Sequence, residues 1–194
     1  GNEFNIGSKE LKDRLYINDG NGNFTRDEFA LPSIAQSSQT VIASDIDKDG
    51  DTDLFVGTRL IPGKYSFPAT SYILINEQGK FKVSNVETAP ALENIGMVSD
   101  AVFTDIDNDD DDDLMLVGEW MEITILTNDN GVFEDSSEKY GLKDTRGIWW
   151  SITASDLDND GLTGVNDVAN YTITIVNTGN ASLTDFNLVD ILTD

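Results

Sequence analysis

An all-β chain is what this sequence predicts, and three observations carry that reading. The apolar runs are short and rich in β-branched and aromatic residues: TVIA, LFVG, YILI, LMLVG and ITIL. Gly, Asn and Asp clusters bound them, and no segment sustains a helical period. The text also repeats. Asp45 opens DIDKDGDTDLFVG, Asp105 opens DIDNDDDDDLMLVG 60 residues later, and Asp156 opens DLDNDGLTGV 51 residues after that.

The elements follow in order. LYINDGNGNF, from Leu15, reads as a strand, a turn and a strand ending in Phe. QTVIAS is a strand running into the first Asp loop, and LFVG is the strand that leaves it. YILINEQGKF, from Tyr72, repeats the strand–turn–Phe element. DAVFT, the second Asp loop and LMLVG repeat the middle, and ITILTNDNGVF, from Ile123, closes that unit. Asn76 and Asn128 stand 52 residues apart, each followed five residues later by Phe (Phe81, Phe133). Residues 135–142 (DSSEKYGL) are expected to make one helical turn, and WWSITAS is a third β-rich run before the third Asp loop. A repeat of this length with four strands per unit is a propeller-blade signature. The expectation is a partial, unclosed β-propeller of about two to three four-stranded blades, with a short β-hairpin tail.

Composition narrows the function. The chain has 194 residues, 36 acidic and 12 basic, a net charge of −24, and neither Cys nor His. That excludes disulfides, thiol nucleophiles, imidazole bases and Cys- or His-based metal sites. A metal would have to be held by oxygen, which favours hard cations. The charge argues against nucleic acid and anionic membranes as partners, and no apolar run approaches the roughly 18 residues that span a bilayer. With 39% hydrophobic residues the chain is expected to be globular. It starts GNEFNIGSKE and ends DILTD, which reads as a segment of a longer protein, so the rest of the parent chain is an expected partner. Missing Cys is compatible with a bacterial cell surface.

The Asp loops carry the chemistry. In D-x-D-x-D-G-D-x-D, alternate side chains of a tight loop can converge on one point, and calcium takes six to eight oxygens at about 2.3–2.6 Å. In the first loop Asp45, Asp47, Asp49 and Asp53 are candidate side-chain ligands, Asp51 offers its backbone oxygen, and Gly50 supplies the positive φ of the turn. In the second, Asp105, Asp107, Asp109 and Asp113 are the side-chain ligands and Asp111 the carbonyl, with Asp110 in the place of Gly50. An EF-hand fits the first half of each loop, but strand text and not helix text follows, which favours a β-hairpin loop. Solvated surface charge is the bland alternative. Four or five carboxylates in nine residues repel unless a cation offsets them, and their recurrence at one place in successive repeats is not explained by solubility.

DIDKDGDTDLFVG followed by YILINEQGKF resembles the FG-GAP/VCBS repeat of integrin-α-type β-propellers. GNEF with DRLYINDGNGNF, and GIWWSITASDLDNDG, resemble more narrowly bacterial secreted proteins of the ASPIC/UnbV group. The resemblance covers roughly residues 1–161. It implies an extracellular or cell-surface propeller with Ca2+ in a hairpin turn, and roles in adhesion or in binding a protein or glycan ligand.

The third loop departs from the pattern. Asp156, Asp158 and Asp160 fit as metal ligands, but Gly164 stands where the ninth-position Asp would be. From Tyr171 the text alternates cleanly and resembles the opening strands of immunoglobulin-like repeat modules of bacterial surface proteins. The expected division is residues 1–161 as propeller blades and 162–194 as a fragment of such a sandwich. Other candidates are weaker. Trp149 and Trp150 could stack on sugar rings, though packing within a blade is the commoner use. Glu119 and Glu122 flank Trp120, but residues three apart in an expected strand tend to point to opposite faces, which weighs against a carboxylate pair for glycoside chemistry. Asn180-Ala-Ser182 is a formal glycosylation sequon, silent in a bacterium. The expected function is therefore non-enzymatic: a calcium-binding extracellular segment for adhesion or ligand binding. The alternatives are a scaffold part of a polysaccharide-active enzyme or a plain spacer in a surface array.

Overall fold

The computed structural model describes residues 5–155, so Asp156, Asp158, Asp160 and the predicted 162–194 unit lie outside the described residues. Within that span the protein is all-β and antiparallel. A hairpin of β1 (Leu15–Asn18) and β2 (Phe24–Asp27) comes first. A four-stranded sheet follows, in the order β3 (Ser37–Ser44), β4 (Asp53–Leu60), β5 (Tyr72–Glu77), β6 (Lys80–Val83). The second sheet repeats it with β7 (Met97–Thr104), β8 (Asp113–Met121), β9 (Thr124–Asp129) and β10 (Val132–Asp135). A two-residue strand, β11 (Gly147–Ile148), pairs with the end of β8 beyond the stretch that β9 covers. Among the described residues these are two blades and the outer hairpin of a third, and they do not close a ring.

The β5–β6 and β9–β10 connections are two-residue turns with both central residues at positive φ: Gln78 (55°) with Gly79 (84°), and Asn130 (49°) with Gly131 (88°). That geometry matches the right-handed twist of the flanking strands. Residues 137–141, where a helical turn was expected, form hydrogen-bonded turns. A short α-helix, α1 (Asn85–Thr88), lies in the connection between the blades. Its four residues carry no apolar period that would announce a helix.

The blades pack face to face. β7, the first strand of the second blade, lies against β3 and β4 of the first. Between the blades lies one apolar core that includes Phe55, Ile73, Leu92, Val98, Leu114, Leu116, Leu126 and Phe133. The glycines that end LFVG and LMLVG make the close packing possible. A Cβ on Gly57 would stand 2.6 Å from Thr40 Cγ2 and 2.9 Å from Val98 Cγ1 of the facing blade. A Cβ on Gly118 would stand 2.1 Å from the Met97 carbonyl oxygen. The repeated Phe shows the cost of an incomplete unit. Phe133 is 3% exposed under the inter-blade connection, whereas Phe24 of the lone hairpin is 63% exposed, because no preceding connection covers it among the described residues.

Candidate metal centres

Both complete Asp loops join the first two strands of a blade, β3 to β4 and β7 to β8. Asp45, Asp47 and Asp49 each bring a carboxylate oxygen within 4.8 Å of the other two, and Asp105, Asp107 and Asp109 do the same. The local folding reason is a shared set of side chain–backbone hydrogen bonds. In the first loop the Gly50 amide donates to Asp45 Oδ2 (3.1 Å), the Asp49 amide to Asp47 Oδ1 (3.3 Å) and the Asp51 amide to Asp49 Oδ1 (2.8 Å). In the second, the Asn108, Asp109 and Asp110 amides donate to Asp105, and the Asp111 amide to Asp109 Oδ1 (2.9 Å). The fourth residue of each loop takes the left-handed conformation, Lys48 at φ 58° and Asn108 at 61°, as does the sixth, Gly50 at 93° and Asp110 at 70°.

Asp53 and Asp113 close the loops from beneath, at the first residues of β4 and β8. Both are fully buried, and each carboxylate accepts two amides. Asp53 accepts from Ile46 (3.0 Å) and Asn76 (2.7 Å), and Asp113 from Ile106 and Asn128 (both 2.8 Å). Burial outweighs those hydrogen bonds and raises both acids, Asp113 to about 6, with the charges of neighbouring loop aspartates adding to the shift. Those charges are Asp47 and Asp49 for Asp53, and Asp107 and Asp109 for Asp113, so each buried carboxylate borders its cluster. Asp51 and Asp111, expected to offer backbone oxygens, also use their side chains: Asp51 accepts the Gln78 amide (3.1 Å) and Asp111 the Asn130 amide (2.9 Å).

Three features went unseen in the sequence. Lys48 crosses from the first loop to form an ion pair with the buried Asp111 of the second. The Asn130 amide, and then that lysine, hold Asp111 below the usual carboxylate range. Asn76 and Asn128 are clasps. Each caps its own turn through Oδ1, taking the Gly79 or Gly131 amide (2.8 Å), while Nδ2 holds a carbonyl of the adjacent Asp loop. The 52-residue spacing marked both asparagines but not this role. The third is at the far end of β8. Glu119 is buried and receives Arg59 through Nε (2.9 Å) and Nη2 (2.6 Å), and Tyr65 through its hydroxyl (2.7 Å). Trp149 donates Nε1 to the Thr145 carbonyl (3.1 Å), and Trp150 stacks 5.7 Å from the Arg59 guanidinium.

The loops present the donor set of a hard cation. All donors are oxygen, and three carboxylates converge in each loop beside a buried fourth. In the second loop Asp107 Oδ1 is buried with no hydrogen-bond partner. A buried carboxylate oxygen left unpaired is costly, and a cation in the cluster would satisfy it.

A family model for the FG-GAP-like repeat matches residues 4–56 and 105–163. The two matches take in both complete Asp loops up to β4 and from the start of the second loop onward. No curated protein and no solved structure matches the chain.

Proposed function

Because the chain belongs to the FG-GAP-like repeat family, we propose that it is a calcium-binding segment of an extracellular β-propeller that serves adhesion or ligand binding. Asp45, Asp47, Asp49 and Asp53 with the Asp51 carbonyl would hold one Ca2+, and Asp105, Asp107, Asp109 and Asp113 with the Asp111 carbonyl a second. Bound calcium neutralises the carboxylate repulsion and stiffens the hairpin turn. Asp156, Asp158 and Asp160 are proposed as a third, shorter site.

The observation that carries the reading is duplication. Two loops separated by 60 residues bring the same three carboxylates together with matching turn conformations and matching buried latches. Random surface acidity has no reason to repeat a backbone. A donor set of this kind on a surface module fits affinities of about 10⁻⁴–10⁻³ M, which suits the extracellular calcium range and supports a secreted location. Calorimetric titration tests it: at least two sites for Ca2+, one for each complete loop, and weaker heat for Mg2+. No heat with either ion, at concentrations to 10 mM or about ten times the upper dissociation constant, overturns it.

A further inference from the structure

At the end of the blades away from the Asp loops, a depression of about 460 Å³ opens beside Trp120. We propose that it binds a neutral saccharide, with the Trp120 indole as the stacking face. The proposal rests on the ligand-binding reading and names its ligand class and its place. Glu119 follows Asp113 by six residues of extended strand, about 20 Å, so this site is separate from the loops.

Trp120 is the first observation. It sits inside β8 at φ 62°, a conformation that bulky side chains rarely adopt, and it is the exposed residue of an otherwise buried strand end, 52% accessible. Packing gains little from an outward indole on a strained backbone, and glycine would serve the strand better. Strain kept at an exposed aromatic points to a ligand.

The surroundings give the class. The buried Glu119, held by Arg59 and Tyr65, forms a rigid floor. Trp120 Nε1 lies 3.5 Å from the Tyr65 hydroxyl, which fixes the edge of the indole. Around the rim stand the Glu122 carboxylate, the Asn94 amide and the Arg146 guanidinium, whose side chains have no hydrogen-bond partner among the described residues. Acceptors and donors are thus interleaved. A purely apolar ligand would leave them unpaired. An anion would meet Glu122 and a chain of net charge −24. A cation would meet Arg146 and have no use for the donors. A neutral sugar ring has hydroxyls that donate to Glu122 and accept from Arg146 and Asn94, and a C–H face that lies on the indole.

The test is an array carrying neutral glycans, uronic-acid and sulfated glycans, and matrix proteins, followed by tryptophan-fluorescence titration with the best neutral oligosaccharide. The full chain should bind neutral glycans in preference to acidic ones. Trp120→Gly should lose about tenfold or more in affinity, as for one central aromatic contact, while melting no lower than the parent. Preference for acidic glycans, or full binding by Trp120→Gly, overturns the proposal. Binding to matrix proteins with no neutral glycan overturns it alone and spares the adhesion reading. Binding to nothing removes both.

Discussion

Asp110 holds φ 70° at the position where the first loop has Gly50 at 93°. The strain is real for a residue with a Cβ, though smaller for Asp than for most. Asp110→Gly should therefore be neutral or stabilising, by up to about 1 kcal/mol, because relief of the left-handed strain is partly offset by the added freedom of the unfolded chain; a marked fall in the thermal midpoint would mean that the side chain makes a needed contact. Asp109→Ala and Asp49→Ala should each remove one calcium site and lower the midpoint only when calcium is present. Equal losses with and without calcium would mark them as turn residues. Gly118→Ala should be harsh, about 2 kcal/mol or more, because the new methyl meets the Met97 carbonyl and cannot be accommodated by a side-chain rotation. The glycines ending LFVG and LMLVG were visible in the sequence, but their reason was not. It lies in which backbone comes near, and that is set by strand pairing. Lys48 was unreadable for the same reason: nothing within one repeat says which neighbour its side chain will reach.

At the scale of elements, the hairpins were legible and the connections were not. Turn pairs such as Gln78–Gly79 and Asn130–Gly131 state their geometry locally, whereas α1 and the long β4–β5 connection depend on the blade they cover. The Asn clasps connect the two levels. Asn128 Nδ2 also reaches the Ile46 carbonyl of the first blade (3.1 Å), a bond for which Asn76 has no counterpart among the described residues. Asn128→Ala should then cost about 2–3 kcal/mol and Asn76→Ala about half as much, by denaturant unfolding; equal costs would deny the inter-blade bond any weight. Asp113 makes the second loop pH-sensitive. Its folded-state pKa, about 6, is raised above the ordinary 3.8, so the folded protein holds that proton more tightly than the unfolded chain. Its contribution is fully present below about pH 4 and is lost as pH rises through about 6, on the order of 1–3 kcal/mol in calcium-free buffer. Urea unfolding in EDTA should show stability falling over that window, and Asp113→Asn should flatten the slope. An unchanged slope would assign the effect to other carboxylates.

For the whole molecule the governing quantity is a charge of −24, much of it concentrated in the Asp loops. Two different remedies exist, and they are separable. Ionic strength screens all exposed charges alike, with a Debye length of about 8 Å at 0.15 M. Calcium acts only where oxygens converge, and it binds the folded state by mass action. At 100 times its dissociation constant one site adds about 2.7 kcal/mol, and two independent sites about twice that. In a chain of this size such a gain moves the melting point by roughly 10 °C or more. Millimolar CaCl2 should therefore raise the midpoint far more than NaCl of matched ionic strength, and the Asp49→Ala, Asp109→Ala double variant should lose most of that difference. The sequence signalled the two blades and their acidic turns through the repeat, and the fold adds why they act together: Lys48 of one loop is already committed to Asp111 of the other. Filling one loop is thus expected to alter the neighbour's affinity. Titration of each single-loop variant measures that directly, and a remaining site whose affinity equals that in the parent would show the loops to be independent.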